Sequence, residues 1–272
     1  WDGTFKSHLQ YTDNPAWIFY DILTNRRYGA GQFVKADDID FYDLYRISQY
    51  CDELVQDGTE LSATTATLTK NRAYIIKTVG SVSNWSAIGE YTKGTGTAAG
   101  DTFIYNGVAV AGSGGVVYGA EPRFRMNLYL SKATELYKVL KDMASMFTGM
   151  IYWMDGKLTT IIDTPSDPVY NFTKGNVIDG QFNYETTGRK TRINQVAVTY
   201  NDPENSFKPT AILVEDREAI LKSPNGVIQE NTVAFGCTSE SQAVRYGKWK
   251  LFTAQNQTEI ISFQTSLAGN FL

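Results

Sequence analysis

A single histidine, His8, stands in a chain of 272 residues. That removes most histidine-activated serine and cysteine nucleophiles and most histidine-rich zinc sites. Cys51 and Cys237 have no histidine close by in sequence and no Cys-x-x-Cys partner, so neither has the setting that lowers a thiol pKa and makes it reactive. Two cysteines in a chain this long make no disulfide framework, and both are expected to be reduced and buried. Asp37, Asp38, Asp40 and Asp43 crowd one stretch, but a calcium loop needs a turn-forming glycine and a distal bidentate glutamate, and both are missing. Carboxylates in a first helical turn complement its exposed N–H groups, which is the ordinary origin of such a run. Gly94-Thr95-Gly96 and Gly112-Ser113-Gly114-Gly115 lack the Gly-Lys-Ser/Thr sequel of a phosphate loop and read as turns. With 29 Asp and Glu residues, a carboxylate pair for glycoside hydrolysis depends only on spacing in three dimensions. A cell-wall hydrolase is therefore the main enzymatic alternative to a chain with no catalytic, cofactor-binding or metal-binding residues.

Aromatic side chains are plentiful, with 17 Tyr, 14 Phe and 5 Trp. Trp17, Trp153 and Trp249 lie in apolar elements and are expected to fill cores and seams. Trp85 sits in a Ser/Asn-rich stretch, where it either stacks on a sugar or closes a small core. The small core is favoured, because a small sheet needs one large side chain to bury.

The elements that must position these residues follow from pattern. Asp13 or Asn14 caps a helix with Pro15 in its first turn and Gly29 and Gly31 at its end. A second helix starts at Asp37-Asp38, carries Ile39, Leu44, Ile47, Cys51 and Leu54, and stops before Asp57-Gly58, so residues 13–61 read as helical. Residues 62–120 turn to Gly, Thr, Ser, Ala and Val, with short strand-like runs between glycine turns. From Glu121, Phe124, Met126, Leu128 and Leu130 alternate as a strand, Ser131 caps a helix to about Phe147, and Gly149 ends it. Asp155-Gly156 predicts a two-residue hairpin turn closed by Pro165 and Pro168. Strands follow at 193–200 and 211–214, then a helix from about Ser239 to Ala254 with capping-box spacing to Gln242, then a strand at 259–267.

A net charge of -4 with a pI near 5.2, and no Lys/Arg cluster, argue against nucleic-acid binding. At 42% hydrophobic the chain can bury a core, and it has no apolar run of the roughly 18 residues that span a bilayer. No signal-peptide pattern opens it, and it is expected to be soluble. It begins at Trp1 and closes soon after a strand-like run, so it is expected to be a segment of a longer polypeptide.

Specific strings carry a resemblance. Asp13-Asn14-Pro15-Ala16-Trp17, Asp21-Ile22-Leu23-Thr24, Arg27-Tyr28-Gly29 and Gln49-Tyr50-Cys51-Asp52 open the series. It continues with Glu121-Pro122-Arg123, Pro165-Ser166-Asp167, Asn201-Asp202-Pro203, Leu213-Val214-Glu215-Asp216 and Ala234-Phe235-Gly236-Cys237-Thr238-Ser239. In this order they resemble the tip attachment (host specificity) protein J family of lambda-like phages, over most of residues 13–61 and 121–272. Residues 62–120 are extra relative to the lambda pattern and resemble a small β module found in phage structural proteins.

The resemblance implies an α+β fold of phage tail hub-like domains, mixing helices with antiparallel β structure, with an inserted all-β module. A hub domain of residues 1–61 and 121–176 would carry the module at 62–120, and 177–272 would form a second β-rich hub domain, incomplete here. It further implies a trimeric, non-enzymatic virion component at the tail tip, made in the bacterial cytoplasm. Its partners would be other tail tip and tail tube proteins and a host surface receptor, with no cofactor, no nucleic acid and no membrane span. A glycan- or receptor-binding role for the insert is the rival reading. The glycosylation sequons at Asn84, Asn171 and Asn256 have no use in such a protein.

Overall fold

The computed structural model describes residues 11–96, 98–130, 135–154, 156–164, 167–168, 170–186, 188 and 192–266. Helices and sheets mix in an α+β fold that divides into two compact units, one of residues 1–161 with 235–242, the other of 162–234 with 243–272.

In the first unit, helix α1 (Pro15–Thr24) opens on Asn14, whose Oδ1 accepts the Ala16 N–H at 3.0 Å, while its Nδ2 donates to the Ser48 carbonyl at 2.9 Å. One side chain thus caps α1 and ties it to α2 (Phe41–Asp52). The chain folds back after Thr24, with Ala30 N–H donating to Ile22 O at 2.9 Å. A Cβ on Gly29 would lie 1.9 Å from that same carbonyl, so glycine is needed for this return. Asp37 and Asp38 lie in a 3-10 turn ahead of α2, and Asp40 is its cap, accepting from the N–H groups of Tyr42 and Asp43.

Helix α2 ends at Asp52, earlier than the sequence pattern suggests, and residues 54–61 are not helical: β1 (Leu54–Ser62) starts at once. Asp57-Gly58 does not end a helix. It lies where the β1 register shifts between Gln56 and Glu60, with Gly58 at φ 92°. After β1 come β2 (Ala73–Thr78), the short α3 (Trp85–Ile88), β3 (Gly89–Lys93), β4 (Thr102–Tyr105) and β5 (Val116–Pro122). They build an antiparallel sheet in the order β1-β5-β2-β4-β3. Its core is its own: Tyr74, Ile76, Trp85, Ile88, Phe103, Tyr105 and Val117 are buried together.

Past β5 the alternation at 124–130 forms no regular strand. The segment instead threads between neighbours, with Phe124 N–H donating to Cys51 O (3.1 Å), Met126 N–H to Asp13 O (2.8 Å) and Asn127 N–H to Gly236 O (2.8 Å). Apolar alternation marks an extended chain with one buried side, which a regular ladder need not accompany. The expected cap Ser131 lies outside the described residues. Helix α4 (Leu136–Met146) ends through Thr148 at φ 55°, not through Gly149, which already belongs to β6 (Gly149–Met154). A Cβ on Gly149 would lie 2.3 Å from the Phe147 ring. Strand β7 (Lys157–Ile162) pairs with β6 and bridges Ile39 through Leu158. In the turn between them Asp155 lies outside the described residues and Gly156 has φ 78°.

In the second unit, β8 (Val177–Thr186), β9 (Gln195–Asp202), β10 (Lys208–Glu215), α5 (Arg217–Lys222) and β11 (Gln229–Val233) precede α6 (Glu240–Asn256) and β12 (Glu259–Thr265). The first three residues of α6 belong to the other unit. Strand β9 is central, antiparallel to β10 and parallel to β11, so the β structure is not purely antiparallel. Val198 and Val214 close on Gly247 of α6, where a Cβ would lie 2.8 Å from Val214. Strands β8 and β12 form a separate antiparallel ribbon with Phe172, Phe182 and Phe263 in ring contact.

Candidate functional site

Four of the sequence strings that carry the resemblance meet in one place in the first unit. Asp13 and Asn14 lie at the start of α1, Tyr50 to Asp52 at the end of α2, Glu121 to Arg123 at the end of β5, and Phe235 to Ser239 ahead of α6. The 124–127 segment passes among them and bonds to three of the four through its backbone.

Side chains complete the junction. Arg125 Nε donates to Asp13 at 2.6 Å. Arg123 reaches Glu53 at 2.6 Å and lies 4.4 Å over the ring of Tyr50. Gln242, almost wholly buried, accepts from Arg125 N–H at 3.0 Å and returns a donor to Arg125 O at 3.1 Å. The Glu121 carboxylate accepts from Ser239 Oγ at 2.8 Å and also from Ser241 Oγ. Asn127 Nδ2 donates to Thr238 Oγ1 at 3.0 Å. Half of the expected capping box is present, Gln242 N–H donating to Ser239 Oγ at 3.3 Å. The other half is replaced, because the Gln242 amide serves Arg125.

Electrostatics here serve structure. Burial pushes the Asp52 carboxyl above its usual range, with nearby Asp13 adding to the rise and a hydrogen bond from Asn14 opposing it. Burial likewise pushes the Cys51 thiol up, away from a reactive thiolate. Cys237 is also buried, and its Sγ donates to Ser239 O at 3.2 Å.

Elsewhere the candidate groups take structural places. His8 lies outside the described residues. No group of His, Cys, Asp and Glu suited to a metal ion occurs among the described residues. The amides around Gly94-Thr95-Gly96 are taken by the chain's own Asp101, whose carboxylate accepts from Thr95, Gly96 and Ala98 N–H. Trp85 is only 3% exposed, edge-on to Phe103 at 5.8 Å, with Nε1 donating to Val79 O at 2.9 Å. Trp249 is half-buried, stacked on Tyr246 and bonded to Asp163 at 3.0 Å. Trp153 departs from expectation: at 60% exposed it faces out from β6 and fills no core. Sequence reasoning gave Gln242 only its capping-box place and Arg125 no role, since nothing in one-dimensional spacing signals a contact 117 residues long.

No helix among the described residues is long and apolar enough to cross a membrane. The family model for putative phage tail proteins matches residues 135–272. Tip attachment protein J of Escherichia phage SECphi27 is 32% identical over 269 residues, covering 99% of this chain and 17% of that protein. Its namesake from Escherichia phage SECphi4 is 31% identical over 272 residues, covering 100% of this chain and 18% of that protein. Both matched spans include residues 62–120, and the chain spans less than a fifth of the length of these relatives. The hydrogen-bonded strings and the family match agree: the chain belongs to the phage tail protein family and is similar to tip attachment protein J.

Proposed function

We propose that this chain is a structural part of the hub at the distal end of a phage tail, where it closes the tail tube and supports host attachment and DNA delivery. The observation that carries the reading is the junction at Arg125 and Gln242, where strings dispersed over more than 220 residues, from Asp13 to Ser239, are hydrogen-bonded into one place. Such a junction holds a shape. The hub proper is residues 1–61 and 121–176 with a second hub domain at 177–272, and the β module at 62–120, whose sheet extends to the whole of β1 (Leu54–Ser62) and β5 (Val116–Pro122), is an insertion in it. In the virion the protein is a homotrimer in contact with other tail tip and tail tube proteins, and the assembly meets a receptor on the host surface.

Gold-labelled antibodies raised against this chain should mark only the distal end of tails on purified virions. Label along the tube or on the head overturns the reading. Cross-linking of isolated tails should yield trimers, and a twofold dimer would count against a hub. A zymogram on purified cell wall should stay blank; lysis abolished by one Asp or Glu substitution would favour the hydrolase instead.

A further inference from the structure

Asn-Gly occurs at Asn106-Gly107 and at Asn225-Gly226. This dipeptide is the most labile setting for an asparagine, because glycine has no Cβ to shield its own nitrogen or restrain the backbone rotation that brings it to the asparagine side chain. The structure treats the two sites differently. Asn106 is tied at both ends of its amide: Nδ2 donates to Ala87 O at 2.9 Å and Oδ1 accepts from Val108 N–H at 2.9 Å. Asn225 lies at the tip of the exposed loop between α5 and β11. Its backbone N–H donates to Ser223 Oγ at 3.3 Å, and no hydrogen bond of its side chain occurs among the described residues.

The next residue is hydrogen-bonded through both its N–H and its carbonyl, but weakly at the N–H. Gly226 has φ 69°, and its N–H is held only by a long bond to Ser223 O at 3.3 Å. Its carbonyl is anchored from below, where buried Asn194 donates Nδ2 to Gly226 O at 2.8 Å and accepts Ile228 N–H at 2.7 Å. The loop base is thus held, while at its tip the Asn225 side chain makes no hydrogen bond among the described residues and a single long bond restrains the Gly226 N–H.

We propose that Asn225 is a site of spontaneous modification in the folded protein, converting to aspartate and isoaspartate while Asn106 is spared. The Gly226 nitrogen gives up its proton and attacks the Asn225 side-chain carbonyl carbon. A C–N bond forms, the bond to the amide nitrogen breaks, and ammonia leaves carrying the proton. One water then opens the cyclic imide at either carbonyl, so the reaction needs no co-reactant but water. The product adds one negative charge beside Ser223 and Pro224, which line a cavity with Arg192 and Lys222. In the isoaspartate product the main chain gains a methylene within a loop anchored by Asn194.

The whole chain is incubated in mildly alkaline buffer and sampled for peptide mapping, with isoaspartyl methyltransferase labelling as a second readout. Conversion at Asn225 should run at least several-fold faster than at Asn106, and denaturation in urea should bring the two rates together. An Asn225→Gln variant, which cannot close the five-membered ring, should lose the new acidic species on ion exchange and keep the parent's melting curve. Equal rates in the folded protein, faster loss at Asn106, or no conversion at Asn225 overturns the proposal.

Discussion

Arg125 and Gln242, 117 residues apart in sequence, exchange two hydrogen bonds as a strand pair would, except that one partner is a side chain. A buried glutamine can satisfy a backbone N–H and a C=O at once where no second strand is available, and here it replaces the ladder that residues 124–130 lack.

Gln242→Ala leaves both Arg125 backbone groups unpaired in a buried setting and should destabilise the protein by about 2 kcal/mol. Urea unfolding measures it. Gln242→Glu keeps the acceptor but sets a buried carboxylate against the Arg125 carbonyl, so at neutral pH it should cost at least as much as the alanine variant, and less in acid, where the protonated carboxyl can donate. A Gln242→Ala curve that overlays the parent would mean that water takes over both groups.

Replacing residues 56–120 by a short Gly/Ser linker, which keeps Glu121 for Ser239 and Ser241, should leave the remainder folded. Leu54 and Pro122 are paired across β1 and β5, and Arg123 N–H donates to Glu53 O at 2.8 Å, so the linker spans neighbours. Loop closure changes by only about 0.6 kcal/mol per doubling of length. Cooperative thermal unfolding of the deletion variant supports a self-contained module, and insolubility argues against one.

Trp85→Ala should cost about 3–5 kcal/mol within the module, as expected for removing a large buried aromatic. The loss should show as easier proteolysis of residues 54–122 with little change in the melting of the second unit. Because Trp85 is buried, Trp85→Phe should also leave any glycan-array signal unaltered; a selective loss of sugar binding in that variant would revive the carbohydrate reading.

Burial, with Asp101 nearby, pushes the Tyr91 phenol from its ordinary 10.0 up to about 12. The folded state therefore keeps the proton after the unfolded state has lost it. The stability this supplies is complete below pH 10 and is lost as pH rises from there toward 12. The phenols of Tyr20, Tyr28 and Tyr152 are raised as well, so tyrosinate absorbance should show several late-titrating phenols, and the last of them should disappear in Tyr91→Phe.

Much of this was legible before any coordinates. Asn14-Pro15 marks a helix start because cap and first-turn chemistry are local, and the Gly/Thr/Ser-rich texture of the module reflects its turns. What stayed hidden depends on distant partners. Strand β1 was missed because Asp57-Gly58 reads as an ending, whereas a register shift absorbs it and Gly119 leaves room for the Asp57 carboxylate. Thr148 takes a left-handed conformation that pattern would assign to Gly149. Trp153 is exposed although its neighbours are apolar, since a hairpin strand has two faces and the sequence alone does not say which is covered.

The module is joined to its base by two adjacent strands, β1 and β5, that enter and leave side by side. A tensile load applied to the module while the base is held is therefore divided between two covalent backbones running in parallel. The ladder between those strands is not the mechanically weak element. Stress concentrates where the strands are moored, at Cys51 to Glu53 and at Arg123 to Asn127, which is also where the ion pairs and the Gln242 bridge sit. The dense polar bonding of that junction works as an anchorage, and its yield force sets how hard the module can be pulled before the base gives way.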